Sequence, residues 1–185
     1  DAMVHAIEAF SSKSPNNNYL SQVVAKEALI LLNQSIHLAV ENGKNINART
    51  NMLMGSMMAG MAFANSPVAA VHALAYPLGG TFHIPHGLSN ALVLSEVLKF
   101  NSNNDKVAES YAKLAQIVCP NKNKIGLNRS EAVRFSKYFK TLSQTLGLPL
   151  RLRDLNIPKS ALKKLARDAM KQTRLLANNP RPLNE

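Results

Sequence analysis

Four side chains of types that suit metal chemistry stand at suggestive spacings in the first half of the chain. Asp1 and His5 are four residues apart, which on a helix puts both on one face. His72 stands in an apolar stretch that runs to Gly79-Gly80, and His86 lies between Pro85 and Gly87. One carboxylate and three imidazoles would form a ligand set for a divalent transition metal: imidazole suits Fe, Zn and Ni, and the carboxylate adds charge. Four protein ligands can leave a position for a substrate oxygen. Simpler accounts compete residue by residue. An Asp and a His at this spacing are more simply a pair on a helix surface, and a lone helical His is more simply structural. Spacing alone leaves both a metal site and a metal-free fold open.

The elements that must position these residues read as helices. The chain has 185 residues, 46% of them apolar, with few aromatics and no Trp. Its core must come from Ala, Leu, Val, Ile and Met, mostly helix formers. Residues 1–10 form an unbroken apolar helix pattern, and Ser11–Asn18 is a Pro- and Asn-rich loop. Tyr19–Glu41 has helical spacing and stops at Gly43. Ala48–Asn65, rich in Ala, Met and Gly, predicts a central buried helix. Ser66-Pro67 opens a helix carrying His72 that runs out near Pro77 and Gly79-Gly80. Thr81–Gly87 is a short connection holding His83 and His86, before a helix over 88–100. Asp105 caps a helix to Val118, and 120–126 is a polar loop. Ser130 caps a helix over 131–146, stopped by Gly147. Pro158 and Ser160 open a last helix to about Ala177, followed by an extended tail. With no period-2 pattern and no repeat, the reading is one all-α unit of seven or eight helices.

Composition narrows the function classes. The formal charge of +11 is spread from Lys13 to Arg181, thickening only around Arg151, Arg153, Lys159, Lys163, Lys164 and Arg167. No aromatics interleave with these cations, so no nucleic-acid partner is expected. No unbroken apolar run of about 18 residues occurs, so no membrane span is expected. No signal peptide is visible, and the single Cys119 fits a reducing cytoplasm. The chain starts in mid-helix without Met, and reads as a fragment.

Two stretches carry a resemblance. DAMVHAIEAF, residues 1–10, is similar to the D-x-x-x-H-A-x-E metal-binding helix of the group III, iron-containing alcohol dehydrogenases. GMAFANSPVAAVHALAYPLGGTFHIPHGLSNALVLSEVLKFN, the 42 residues from Gly60 to Asn101, resembles that family's second signature. It has the spacing of fourteen residues from His72 to His86, the Pro-Leu-Gly after the first His and the Pro-His-Gly-x-x-Asn-Ala around the second. The ending from Asn179 also resembles the family's C-terminal region, stopping before a final helix.

The resemblance implies the C-terminal half of a two-domain enzyme, with the dehydroquinate synthase-like helical fold, over residues 1–185. An upstream domain would bind NAD or NADP; no Gly-rich phosphate loop occurs in this chain. Asp1, His5, His72 and His86 would hold Fe2+ or Zn2+, and the substrate would be a small alcohol or aldehyde. One position departs from the pattern. Many members carry a further His four residues after the third ligand, near substrate and nicotinamide, where this chain has Tyr76. A Tyr can relay a proton, but its ordinary pKa of about 10 lies far above that of His. His83 is a substitute, or else a solvated loop residue. The other readings are a zinc-dependent relative acting on a polyol such as glycerol, and a metal-free helical interaction module. Apolar surface left by an absent half implies a homo-oligomer.

Overall fold

The computed structural model describes residues 1–120 and 129–185. Among them there is no strand, and the all-α expectation holds. The helices are α1 Ala2–Ser11, α2 Tyr19–Glu41, α3 Ile46–Asn65, α4 Ala70–Phe82, α5 His86–Asn101, α6 Asp105–Val118, α7 Arg129–Thr145, α8 Leu162–Met170 and α9 Thr173–Leu176. Short 3-10 turns at Leu152–Leu155 and Lys159–Ala161 join α7 to α8.

These are nine α-helices among the described residues, where seven or eight were expected. The extra one comes from the last expected helix, which breaks at Lys171-Gln172. Gln172 leaves helical geometry with ψ 51°. The break lets two apolar anchors face different neighbours: Leu165 packs with Leu78, Ile84 and Ile157, and Leu175 packs with Val68 and Ala73. The polar loop expected over 120–126 lies, beyond Pro120, outside the described residues.

The hub of the fold is α1, not α3. Seven of the ten residues of α1 are buried, and it packs against α2, α3, α5 and α6. Ile7 is fully buried, a contribution of about 1.5–3 kcal/mol for such a side chain. The expectation of a central buried helix over Ala48–Asn65 is corrected: α3 buries only Ala48, Gly55, Ala59 and Ala62. That small-residue stripe sits tightly on α2. A Cβ added to Gly55 would lie 2.7 Å from Leu32 Cγ and 3.1 Å from the Ala28 carbonyl oxygen. The other side of α3 leaves Leu53, Met54, Met57 and Met61 exposed, and Tyr19, Leu20 and Val40 of α2 are exposed too. By length and composition α2 is also apolar enough to cross a membrane. Counting unbroken apolar runs passes over it because Ser21-Gln22, Lys26-Glu27 and Asn33-Gln34-Ser35 interrupt the sequence.

Three boundaries shift around the histidines. Ser66 ends α3 instead of opening α4, with its hydroxyl donating to the Ala9 carbonyl at 2.6 Å. That tie, and the Ser12 hydroxyl on the Pro67 carbonyl, hold residues 66–69 against α1 and delay α4 to Ala70. At its other end α4 runs through Pro77 and both glycines to Phe82. His83 terminates it in the left-handed region, φ 55°, donating its N–H to the Gly79 carbonyl. His86 is consequently not in a loop. It is the first residue of α5, with Pro85 as N-cap. Further on, Asn104 rather than Asp105 caps α6, and α7 already includes Arg129 and Ser130.

Candidate metal centre

Three helix starts meet at one point. Asp1 is the N-cap of α1 and His5 follows one turn later, their register fixed by the His5 N–H on the Asp1 carbonyl at 3.0 Å. His72 lies in the first turn of α4, and His86 opens α5. The Nε2 atoms of His86, His72 and His5 lie 3.5, 3.7 and 3.8 Å from Asp1 Oδ1. All four ligand atoms fall within 4.8 Å of one another. The structure thus brings together all four residues proposed from the sequence, at or within about a turn of three helix starts.

The cluster is graded from core to surface. The His72 side chain is 2% exposed, His5 19%, Asp1 35% and His86 47%. His5 stacks on His72 with ring centroids 4.8 Å apart, and the tilted Phe63 ring packs on it at 4.4 Å. Burial, helped by the neighbouring His72 and His86, pushes His5 down to about 4. Burial also lowers His86, again helped by His72. Both shifts favour neutral imidazole, the form that offers a lone pair to a cation.

Tyr76 borders the cluster. Its ring centroid is 6.4 Å from that of His72 and 5.9 Å from that of His86, and the residue is half exposed. His83 sits farther along, exposed at the end of α4. On the other side, Asp1 and Gly87 edge an apolar cavity of about 270 Å³ lined by Leu32, Ile36, Met52 and Phe139 among others.

Two polar residues of the site stand in the quoted signatures, as the Glu of D-x-x-x-H-A-x-E and the Asn of Pro-His-Gly-x-x-Asn-Ala, but the sequence reading gave them no role. Asn90, one turn after His86 on α5 and fully buried, donates from Nδ2 to Asp1 Oδ1 at 2.6 Å. The same nitrogen lies 3.2 Å from Nε2 of both His72 and His86. Glu8, one turn after His5, is a buried carboxylate whose Oε2 lies 2.7 Å from His72 Nδ1. The signal for both was helical spacing from a candidate ligand, i to i+4 for Asn90 and i to i+3 for Glu8.

The donor set fits a divalent cation. An ion with bonds of about 2.0–2.2 Å holds its ligand atoms roughly 3–4 Å apart; the imidazoles lie 3.5–3.8 Å from Asp1 Oδ1, and all four ligand atoms are within 4.8 Å of one another. The cluster is also short of hydrogens. With both rings neutral and their Nε2 atoms unprotonated, a single amide brings two N–H groups to three acceptor atoms, and its own Oδ1 is buried without a partner. His72 Nε2 and Asn90 Oδ1 are the buried atoms among these, and a buried acceptor left without a partner is costly.

Comparison with known proteins bears on the same residues. The whole chain, residues 1–185, matches the model described as Fe-containing alcohol dehydrogenase family, C-terminal. It is 41% identical to long-chain-alcohol dehydrogenase 1 of Geobacillus thermodenitrificans over 100% of this chain and 46% of that protein. It is 36% identical to 1,3-propanediol dehydrogenase of Klebsiella pneumoniae, with the same coverage. Among solved structures, a 1,3-propanediol oxidoreductase superposes with a TM-score of 0.91 at 33% identity, over 100% of this chain and 47% of that one. The alcohol dehydrogenase of Oenococcus oeni gives 0.91 at 34% identity, over 100% and 46%. The chain spans about half the length of the curated relatives it matches. A full-length family match, relatives above 30% identity and the shared helical architecture have one meaning: this chain belongs to the Fe-containing alcohol dehydrogenase family and corresponds to its C-terminal part.

Proposed function

We propose that the chain is the metal-binding half of an NAD(P)-dependent alcohol dehydrogenase or aldehyde reductase, in which Asp1, His5, His72 and His86 hold Fe2+ or Zn2+. The observation that carries this reading is the convergence of three imidazole Nε2 atoms on Asp1 Oδ1 at 3.5–3.8 Å. A bound ion would supply a Lewis acid that polarises a carbonyl or lowers the pKa of an alcohol. The chain's own part is positional. His72 anchors the site in the core, while half-exposed His86 and Asp1 leave its outer side accessible to a substrate oxygen. Tyr76, beside His72 and His86, lines the approach and is placed to hydrogen-bond the substrate or relay its proton. His83 is the more remote candidate for that relay. The relatives' names, long-chain alcohol and 1,3-propanediol, support a substrate whose reacting end is a primary alcohol or its aldehyde.

Hydride exchange would need NAD or NADP bound by a separate nucleotide-binding half, so this chain by itself should be inactive. Reactant positioning supplies much of any rate. The exposed apolar side chains of α2 and α3 support a homo-oligomer, and one cysteine, unpaired, accords with a reducing cytoplasm. Neither a nucleic acid nor a membrane is part of the proposal.

Elemental analysis tests the reading. The purified protein should carry one equivalent of Fe or Zn, and the His72→Ala variant none. Full metal content in His72→Ala would sink the ligand assignment. Appreciable aldehyde reduction with NADH or NADPH by residues 1–185 alone would sink the two-half account.

A further inference from the structure

Glu8 is a buried carboxylate with both oxygens engaged. Its carboxylate is 5% exposed. Oε1 accepts the Val71 N–H at 2.7 Å. Oε2 accepts the Ala69 N–H at 3.0 Å and lies 2.7 Å from His72 Nδ1. Ala69 is the N-cap of α4 and Val71 its second residue, so a carboxylate from α1 satisfies donors that a helix start leaves open and meets the positive end of the helix dipole. No side chain of α4's own N-cap does this.

We propose that Glu8 is a positioning residue that fixes the tautomer of His72 and so makes Nε2 the nitrogen offered to the metal. The chemistry leaves little choice. A carboxylate only accepts, so the 2.7 Å contact requires the proton on Nδ1. In the neutral ring, the form that can ligate a metal, Nε2 is then unprotonated and lies 3.7 Å from Asp1 Oδ1. The opposite tautomer would set two acceptors against each other at Nδ1 and aim an N–H into the ligand cluster. The same contacts fix the ring's orientation, because both carboxylate oxygens are pinned by the backbone of the helix that carries His72. A glutamine cannot reproduce this. With Oε1 toward His72, its NH2 opposes the Val71 N–H; turned over, it donates to Nδ1 and stabilises the wrong tautomer.

This inference rests on the metal reading above, and the experiment separates the two. Two-bond 1H–15N correlation of the imidazole rings, recorded on chelator-treated protein, reports the His72 tautomer directly and needs no variant. Nδ1–H is expected; Nε2–H would overturn the proposal. Zn2+ affinity is then measured by competition with a chromophoric chelator for the natural protein, Glu8→Gln and Ser66→Ala. Loss of an outer partner of a ligating His costs about 10–100-fold in metal affinity, and that loss is expected for Glu8→Gln, with the Nε2–H form appearing. Ser66→Ala cuts a different tie at the same α1–α4 junction, the 2.6 Å bond to Ala9, and should lower thermal stability while keeping the natural affinity. A folded Glu8→Gln protein with unchanged affinity, or an equal loss in Ser66→Ala, would reduce Glu8 to a structural tether. Failure of the natural protein to bind Zn2+ or Fe2+ would instead refute the metal reading, leaving the tautomer result standing.

Discussion

At the junction of Asn101 with Asn179 donors and acceptors are matched, whereas at the junction of Asp1 with the three histidines they are not. Asn101 Nδ2 donates to the Tyr111 hydroxyl and to Asn179 Oδ1, both at 3.1 Å, and Asn179 returns a bond to Asn101 Oδ1 at 2.8 Å and another to the Arg181 carbonyl at 2.6 Å. That cluster closes on itself and sews the end of the chain onto α5. The Asp1 cluster is equally a product of helix packing, yet it gathers a carboxylate and two of its three ring nitrogens around one amide whose Oδ1 is orphaned. Polar groups that satisfy one another hold a fold together. Polar groups that share an unmet need are built for something from outside.

The largest expected difference between the clusters is in response to a divalent cation. At a free Zn2+ concentration about 100 times its dissociation constant, the natural protein should gain about 2.7 kcal/mol of stability. His86→Ala should lose that gain almost entirely. Its side chain is half exposed, so the metal-free fold should melt as before. An equal Zn2+ shift in His86→Ala, read by thermal unfolding, would remove the distinction between the two clusters.

Alkali should act on the matched cluster alone. Burial, partly offset by the hydrogen bonds from Asn101 and Ser11, pushes Tyr111 up to about 12. Its ordinary value is 10.0, so the unfolded chain releases this proton first. The associated stability is fully present below pH 10 and is lost as pH rises through 12, at a cost of about 2–3 kcal/mol. Denaturant titrations of the natural protein and Tyr111→Phe should diverge across that window. Parallel curves would count against the burial argument.

Asn101→Ala is a smaller break in the same place. It strands the Asn179 amide and removes one partner of the Tyr111 hydroxyl, which should cost about 1–3 kcal/mol. Zn2+ affinity should not move, because the two clusters share no contact. A coupled loss of affinity would mean that the tail positions α5 for His86.

How much of this was legible in the residues follows from what each cluster requires. Asp1 with His5, and His86 with Asn90, are spacings within single helices, and a helical repeat converts them into shared faces. The sequence signatures carried the meeting of α1, α4 and α5. What could not be read was contact set by packing. Glu8 finds Ala69, Val71 and His72 across 61–64 residues, and no local pattern announces that. Nor does a single chain position say that Gly55 seats α3 on α2, so the Met-rich helix was placed at the centre when only its small-residue stripe is buried. Pro77 misled for a related reason. A proline removes one helical hydrogen bond, but α4 is held on both sides by α5 and α8, and it continues to a terminator that is not a glycine.

That terminator gives the smallest expected effect and the sharpest outer limit for the site. His83 holds φ 55°, a conformation that costs a side-chain-bearing residue about 1–2 kcal/mol and glycine almost nothing. His83→Gly relieves that strain but gives the unfolded chain more freedom, a cost of about 0.5–1 kcal/mol. The two nearly cancel, and stability should change by less than about 1 kcal/mol. The four converging ligand atoms do not include His83, so Zn2+ affinity should stay within about twofold of natural. Calorimetric titration of the variant decides the point. A loss of tenfold or more with the fold intact would bring His83 into the metal centre and move the boundary between the two kinds of cluster.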